Sequence, residues 1–363
     1  MPSSTTSLIS SIVIVIVIFG SVGTFLFVSN QYRPPEIAVV VLDPGFDDLS
    51  MADQVGIGMN EVSANFTVQY YIANPYPKTS AEAETLMESL ASSGHYELIL
   101  AAGQKLTTAV HNAAVAYPNQ KFGMIGGFVD LLNVASGSYA SEQAAFLAGA
   151  LAALLSTQEN YTSKVGILAS MDDDPDVISL VNGFVQGVVA ANSTYALNVT
   201  LLPTEFIGSY NDSSAASNST FHLFVNDGVS VLFAPVRASI VGVREGMLFA
   251  NSTILYSEDR MPLVIAAEGD QDYYGCADPL IPVAPSWIVT SVVSRTDWVF
   301  YTIINATLWD TFPSGYHYQY NLANGGANVT TFAYSSTYIP ASVMNIIHSY
   351  KDAIVAGTIV VSP

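Results

Sequence analysis

The sequence predicts an α/β protein built as two doubly wound, parallel-sheet lobes. Three observations carry that prediction: short apolar runs alternate with helix-patterned stretches, the alternation comes in two series, and the chain is long enough for two cores. It has 363 residues, 50% of them hydrophobic and only 11% charged. An ordinary soluble domain carries about 25% charge, and at roughly 100–200 residues per domain two cores fit. So apolar a chain buries enough surface to fold, which excludes intrinsic disorder.

The first series opens at Ile37 with IAVVVL, then a Gly/Asp turn and a helix over Met51 to Val62. FTVQYYI precedes a helix over Ser80 to Ser92, ELILAAG precedes Thr107 to Ala116, and KFGMIGG closes the series. Apolar runs separated by helices imply a parallel sheet, because parallel neighbours need a crossover connection. The second series begins with a helix over Ser141 to Leu155 ahead of KVGILAS. A helix over Asp176 to Ala190 then leads into the polar stretch around NVTLL. A helix over Ser213 to Phe224, the strand VSVLFA and a helix over Ala238 to Ala250 follow. LVIAAEG and WIVTSVV are later strands, and Trp298 to Leu308 and Ala341 to Ala356 later helices. Ligands bind beyond the carboxyl ends of such strands, so the lobes are expected to face a cleft.

The N-terminal segment has a different character. Leu8 to Val28 carries no charge, and the first charged residue is Arg33. At about 1.5 Å per residue this run covers the ~30 Å hydrocarbon core of a bilayer. We expect a retained transmembrane anchor at 8–28, a tail at 1–7, and a stiff tether at 29–35 ending in Pro34 and Pro35. A cleaved signal would want a basic start and a small-x-small site, and neither stands there. Nine N-x-S/T sequons follow, at Asn65, Asn160, Asn192, Asn198, Asn211, Asn218, Asn251, Asn305 and Asn328. They predict N-glycans, and hence an extracellular domain beyond the membrane.

Thirty acids against ten bases give a formal charge of −20. A nucleic-acid partner is excluded, because neutralising phosphates takes clustered Lys and Arg. With reference carboxyl pKa values near ~4, an acidic exterior would neutralise most of those acids. The expected setting is therefore the acid-exposed surface of an archaeal cell.

The motifs VVVLDPGFDDLSMADQVG, AAGQKLTTAVHNAAVAYPNQKFGMIGG, NVASGSYASEQAAFLAGALAALLS, KVGILASMDDDPDVISLVNGFVQG, GSYNDSS, VIAAEGDQ and TSVVSRTD stand in that order. From about Glu36 to Pro363 they resemble the basic membrane protein family, substrate-binding proteins of ABC importers of which the better known bind purine nucleosides. The resemblance implies a type I periplasmic-binding-protein-like fold whose hinge is crossed three times, near residues 138, 294 and 318. Lobe 1 would then hold 36–138 and 294–318, and lobe 2 would hold 139–293 and 319–363. The lobes would close around a small-molecule ligand and dock on ABC permease subunits.

By the same resemblance, Asp43 matches the family's ligand-binding acid, and Asp48 and Ser50 fall in its D-D-K-S-F-N turn. Its two base-stacking phenylalanines fall on Met51 and Leu180, its acid after the fourth strand on Gly126, and a loop glycine on Arg237. Its ribose-binding acid falls on Glu268, with Asp270 in the same turn, and the lysine of T-S-M-V-K falls on Ser294. Both aromatic faces are thus missing, each worth about 1–3 kcal/mol on the scale of nucleic-acid stacking. Met51 and Leu180 can still clamp an apolar or planar group, and Arg237 favours a carboxylate or phosphate. Lobe-surface packing and a solvated helix start are the plainer readings of these three.

The acids of MDDDPD, Met171 to Asp176, read as caps and dipole complements at a helix start, with a cation site or a cleft-lining role as the other reading. No Walker A, G-x-S-x-G or H-E-x-x-H motif occurs, and Glu268 and Asp270 have no nucleophile, paired histidine or metal set beside them in sequence. Neither an enzyme, a cofactor nor a metal is expected. The expected function is a membrane-anchored extracellular solute-binding protein of an ABC importer. The alternative is a structural cell-surface or filament-forming protein, self-assembling on a degenerate binding-protein scaffold.

Overall fold

The computed structural model describes residues 33–253 and 261–363. The anchor expected at 8–28, the tail before it and the first part of the tether lie outside the described residues. One sheet is built from β1 (Glu36–Val40), β2 (Gln69–Ile72), β3 (Leu98–Ala102), β4 (Phe122–Ile125), β5 (Val134–Tyr139) and β12 (His317–Tyr320). Its order is β12-β5-β4-β3-β1-β2, and every pair is parallel. Helices α1 (Met51–Asn65) and α8 (Thr296–Leu308) cover one face, and α2 (Ser80–Ser93) and α3 (Thr107–Ala116) cover the other.

The second sheet comprises β6 (Lys164–Ala169), β7 (Thr200–Leu201), β8 (Glu205–Phe206), β9 (Val231–Ala234), β10 (Leu263–Ala267), β11 (Ile288–Ser294) and β13 (Ala327–Val329). Its order is β13-β11-β10-β9-β6-β7, with β8 also on β6 and only β13 antiparallel. Helices α4 (Ser141–Ser156), α5 (Pro175–Tyr195) and α9 (Ala341–Val355) pack on one face; α6 (Ser213–Val225) and α7 (Ile240–Thr253) pack on the other. Both lobes are therefore doubly wound. Central strands such as β3 and β9 are apolar at every position because both faces are covered.

Local chemistry sets the helix ends. Thr79 caps α2 by accepting from the Glu82 N–H at 3.2 Å, and Glu82 in return accepts from the Lys78 N–H. Gly94 ends the helix in the left-handed region. Asp174 caps α5 ahead of Pro175. Among the described residues α5 alone has the length and apolarity to cross a membrane. Its glycine face is instead pressed against α4: a Cβ at Gly149, Gly183 or Gly187 would lie 2.0–2.2 Å from a backbone oxygen of the facing helix. Only glycine allows the two helix backbones to approach so closely.

The chain passes between the sheets after Tyr139, after Ser294 and after Tyr320. The expected boundaries at 138 and 318 fall inside β5 and β12, whose ladder pairs Tyr139 with Tyr320. The boundary before 294 cuts the last residue from β11. Ladder hydrogen bonds hold every residue of a strand in its sheet, so each passage comes at the strand's end.

Candidate functional site

The carboxyl ends of strands from both sheets converge on one cleft. It holds two chambers, of about 430 and 370 Å³ with the open space at their mouths included, that share Met51 and Asp176. The first is lined by Val41 after β1, Gly103 after β3, Asp174 after β6, Tyr210 after β8 and Arg237 after β9. The second is lined by Tyr139 and Ser294 at the ends of β5 and β11, Glu268 after β10, and Leu180 on α5. In each chamber the centre of a water molecule has about 30 Å³ to move in, enough for ordered water at roughly 10–15 Å³ per site. The two lobes touch across the cleft.

Arg237 is the hub of the first chamber. Its Nε donates to Glu268 Oε1 at 2.8 Å, and Nη2 donates to Asp174 Oδ2 at 3.1 Å. The guanidinium lies 4.3 Å from the centre of the Tyr210 ring, and the Tyr210 hydroxyl donates to Asp174 Oδ2 at 2.5 Å. Burial alone would lower the Arg237 pKa, but Glu268 and Asp174 outweigh it and hold the group above its ordinary value. The guanidinium is therefore not a solvated helix start, and it is already occupied by two carboxylates. The carboxylates that Arg237 favours are here supplied by the chain itself.

The acids pay the electrostatic cost of this burial. Burial pushes Glu268 up to about 7 against the pull of Arg237, and Asp174 adds to the rise. Asp176 is raised by burial and by Asp174, and Asp48 is raised by burial. Glu268 Oε2 is buried with no hydrogen-bond partner. Arg237 (φ +52°) and Glu268 (φ +71°) both sit in the left-handed region, as do Asp47 and Leu49 in the facing loop. Strain of about 1–3 kcal/mol per residue persists only where surrounding contacts over-determine it.

The facing loop is tied internally and to the opposite lobe. Asp48 accepts from the Ser50 N–H at 2.9 Å and from its hydroxyl at 2.5 Å; Asp53 accepts from the N–H groups of Asp47 and Leu49. Gln271 Nε2 donates to Leu49 O at 2.5 Å across the cleft. A Cβ at Gly269 would stand 2.5 Å from the same oxygen. On the other rim, the Gln104 N–H donates to Asp176 Oδ2 at 3.1 Å, and Lys105 pairs with Asp173 at 2.8 Å.

Of the residues expected from sequence, Asp48, Ser50, Met51, Leu180, Arg237, Glu268 and Ser294 line the two chambers. Asp43 does not: it is exposed, with its N–H bonded to Pro77 O, and the buried loop acid is Asp48. Asp270 is also exposed and accepts from the Asp272 N–H at 3.3 Å. Gly126 (φ +93°) lines an adjoining groove with Phe128 and Glu142 rather than either chamber. Ser294 Oγ bonds Ser141 Oγ at 2.9 Å where two interlobe passages meet. Sequence reasoning missed Tyr210, Gln104 and Gln271 as site residues, and gave Asp174 and Asp176 a cleft-lining role only as the second reading of their acidic run. The helix-cap reading of Asp174 holds, but the same side chain also binds Arg237 and Tyr210. Their shared signal was position, since Gln104 and Asp174 each follow the carboxyl end of a central strand.

Among the sequons, Asn65, Asn160, Asn198, Asn211 and Asn218 are exposed. Asn192 is half-buried and holds Val199 through its amide, and Asn328 lies within β13. No cluster of three or more His, Cys, Asp or Glu with metal-holding geometry occurs among the described residues.

A family model described as ABC transporter substrate-binding protein PnrA-like matches residues 36–354. The chain is 24% identical over 255 residues to the ABC transporter nucleoside-binding protein BmpA of Lactococcus lactis subsp. cremoris, covering 70% of this chain and 69% of that one. It is 23% identical over 309 residues to an uncharacterized lipoprotein of Pyrococcus abyssi, covering 85% and 72%. Its fold is similar to that of an ABC transporter solute-binding protein from Aeropyrum pernix K1, with TM-score 0.79, 20% identity and coverage of 91% and 94%. A solute-binding protein from Conexibacter woesei superposes with TM-score 0.64 at 15% identity, covering 90% and 98%.

Proposed function

This chain belongs to the Bmp family of PnrA-like ABC transporter substrate-binding proteins, and from that premise we propose that it captures a small solute between its lobes and delivers it to ABC permease subunits. One observation carries the reading. Met51 on lobe 1 and Leu180 on lobe 2 face the same chamber as Glu268, whose Oε2 is buried without a partner. A buried carboxylate oxygen left unpaired costs about 1–3 kcal/mol or more, and a solute N–H or O–H would remove that cost. The apolar walls take the solute's body in place of the two missing aromatic faces, so a nucleoside is one candidate and not a requirement. With the chambers this narrow, uptake requires the three interlobe passages to hinge open.

The apolar run at 8–28 supports a single-pass anchor, and the exposed sequons support an extracellular, glycosylated domain. Mass spectrometry of the native protein tests both, through an intact N-terminal peptide and glycan on Asn65, Asn160, Asn198, Asn211 or Asn218. The test of function is a thermal-shift panel on the full chain in detergent micelles, covering nucleosides, nucleobases, sugars, amines and amino acids. A saturable rise in Tm with one class is expected; a flat response to all of them overturns the reading. A second reading, a surface or filament protein on a binding-protein scaffold, is favoured by the internally satisfied charges of the first chamber. Electron microscopy of native cell surfaces decides it: dispersed molecules without lattice or fibre rule it out.

A further inference from the structure

We propose that the second chamber selects a small organic cation, an amine or amidinium head carried on an apolar or planar body. The inference rests on the reading of the interlobe cleft as a solute site, and it narrows the class of solute. The residues lining this chamber include two carboxylates, Asp176 and Glu268, and no Lys, Arg or His. The base nearest to them, Arg237, lies in the first chamber, with its donors turned to Glu268 Oε1 and Asp174. Asp176 accepts one backbone N–H, from Gln104, and Glu268 Oε2 accepts nothing. Glu268 and the half-buried Asp176 share with Asp174 one inner cation, Arg237, while Lys105 at the rim is paired with Asp173; the cluster keeps an excess of negative charge that a neutral solute would not compensate.

The remaining walls define the rest of the solute. Met51 and Leu180 present apolar surface from opposite lobes, and Ser141, Ser294 and Thr296 add hydroxyls at the rim. An anion entering this space would meet two like charges and no free base, so carboxylates and phosphates are rejected. The groups facing Glu268 are Arg237, Asp174, Asp176 and Tyr210. None of them supplies a second positive charge to the chamber.

A matched trio of probes reads this out on the full chain in detergent micelles, with protein-free micelles as the blank: benzylamine, benzyl alcohol and benzoate. They share one planar body and differ in charge. At pH 7.5 benzylamine is expected to bind at least about tenfold tighter than benzyl alcohol, and benzoate not at all, by isothermal titration calorimetry. Lowering the pH to 5.5 protonates Glu268 and should weaken benzylamine by about tenfold while leaving the alcohol unchanged. Glu268→Gln should remove most of the preference and of its pH dependence, and Asp176→Asn a smaller part of each; ligand-free melting temperatures establish that each variant is folded. Equal binding of amine and alcohol, or tighter benzoate, overturns the cation inference while leaving the solute-binding reading intact. If neither the trio nor the wider panel binds, both fall together.

Discussion

The two chambers of the cleft share Met51 and Asp176, yet they treat charge in opposite ways. In the first, Arg237 is held by two carboxylates and lies over a tyrosine ring, so its charge is answered within the chain. In the second, carboxylates meet apolar walls and one oxygen is unanswered. The contrast separates scaffold from recognition. A buried polar group with all its partners specifies geometry, whereas one without them specifies what must arrive.

The largest test of this contrast is Arg237→Met. It leaves Asp174 and Glu268 buried without their cation, and urea denaturation at pH 7.5 should show a loss of about 3–5 kcal/mol. The loss should shrink at pH 5, where Glu268 takes up a proton. A loss below about 1 kcal/mol at both pH values would mean the cluster does not hold the first chamber together. Next in size is the double variant Met51→Phe and Leu180→Phe, which restores an aromatic to each wall of the second chamber. Adenosine affinity should improve by about 1–3 kcal/mol per stacked face, read by calorimetry. No gain would show that the walls do not flank the solute.

A third test uses pH alone. Burial holds Glu268 at about 7 and Asp272 at about 6, both above ordinary carboxyl values. Between those limits the folded chain binds more protons than the unfolded chain, so stability falls as pH rises and increases on acidification. Tm at pH 5 should exceed Tm at pH 7.5, by on the order of 5 °C. A lower Tm at pH 5 would show that the cleft's raised acids do not govern how stability depends on pH. The smallest effect is expected at the rim. Lys105 and Asp173 form an exposed pair across the cleft, and a double-mutant cycle should give about 0.2–1 kcal/mol, diminishing with salt.

Much of the fold was legible because its strands and helices differ in hydrophobic period. The nine helices described here were each anticipated to within a few residues, since their apolar stripes and caps are local features. The strands that escaped notice, β5, β8, β12 and β13, are of another kind. β5 reads VASGSY, small and polar, and β12 reads HYQY; they pair with each other across a long stretch of chain. No local pattern marks a strand whose partner is so distant in sequence. The site divided in the same manner. Glu268 and Met51 were reached through motif position, while the Arg237–Asp174–Tyr210 contact joins three loops whose proximity only the sheet order creates. Asp43 illustrates the converse: its loop was located correctly, but the residue that turns inward is Asp48.

Gly269 meets no wall of either chamber, yet it bears on both. With room for no side chain between it and Leu49 O, it determines how far the lobes can come together. Apparent affinity is the intrinsic affinity of the closed form multiplied by the fraction of molecules that are closed. A methyl at this position that reduced the closed fraction about tenfold would weaken every solute about tenfold and leave their ranking unchanged. Strength of capture and choice of cargo can thus be adjusted at separate residues, one at the seam and the others in the chamber.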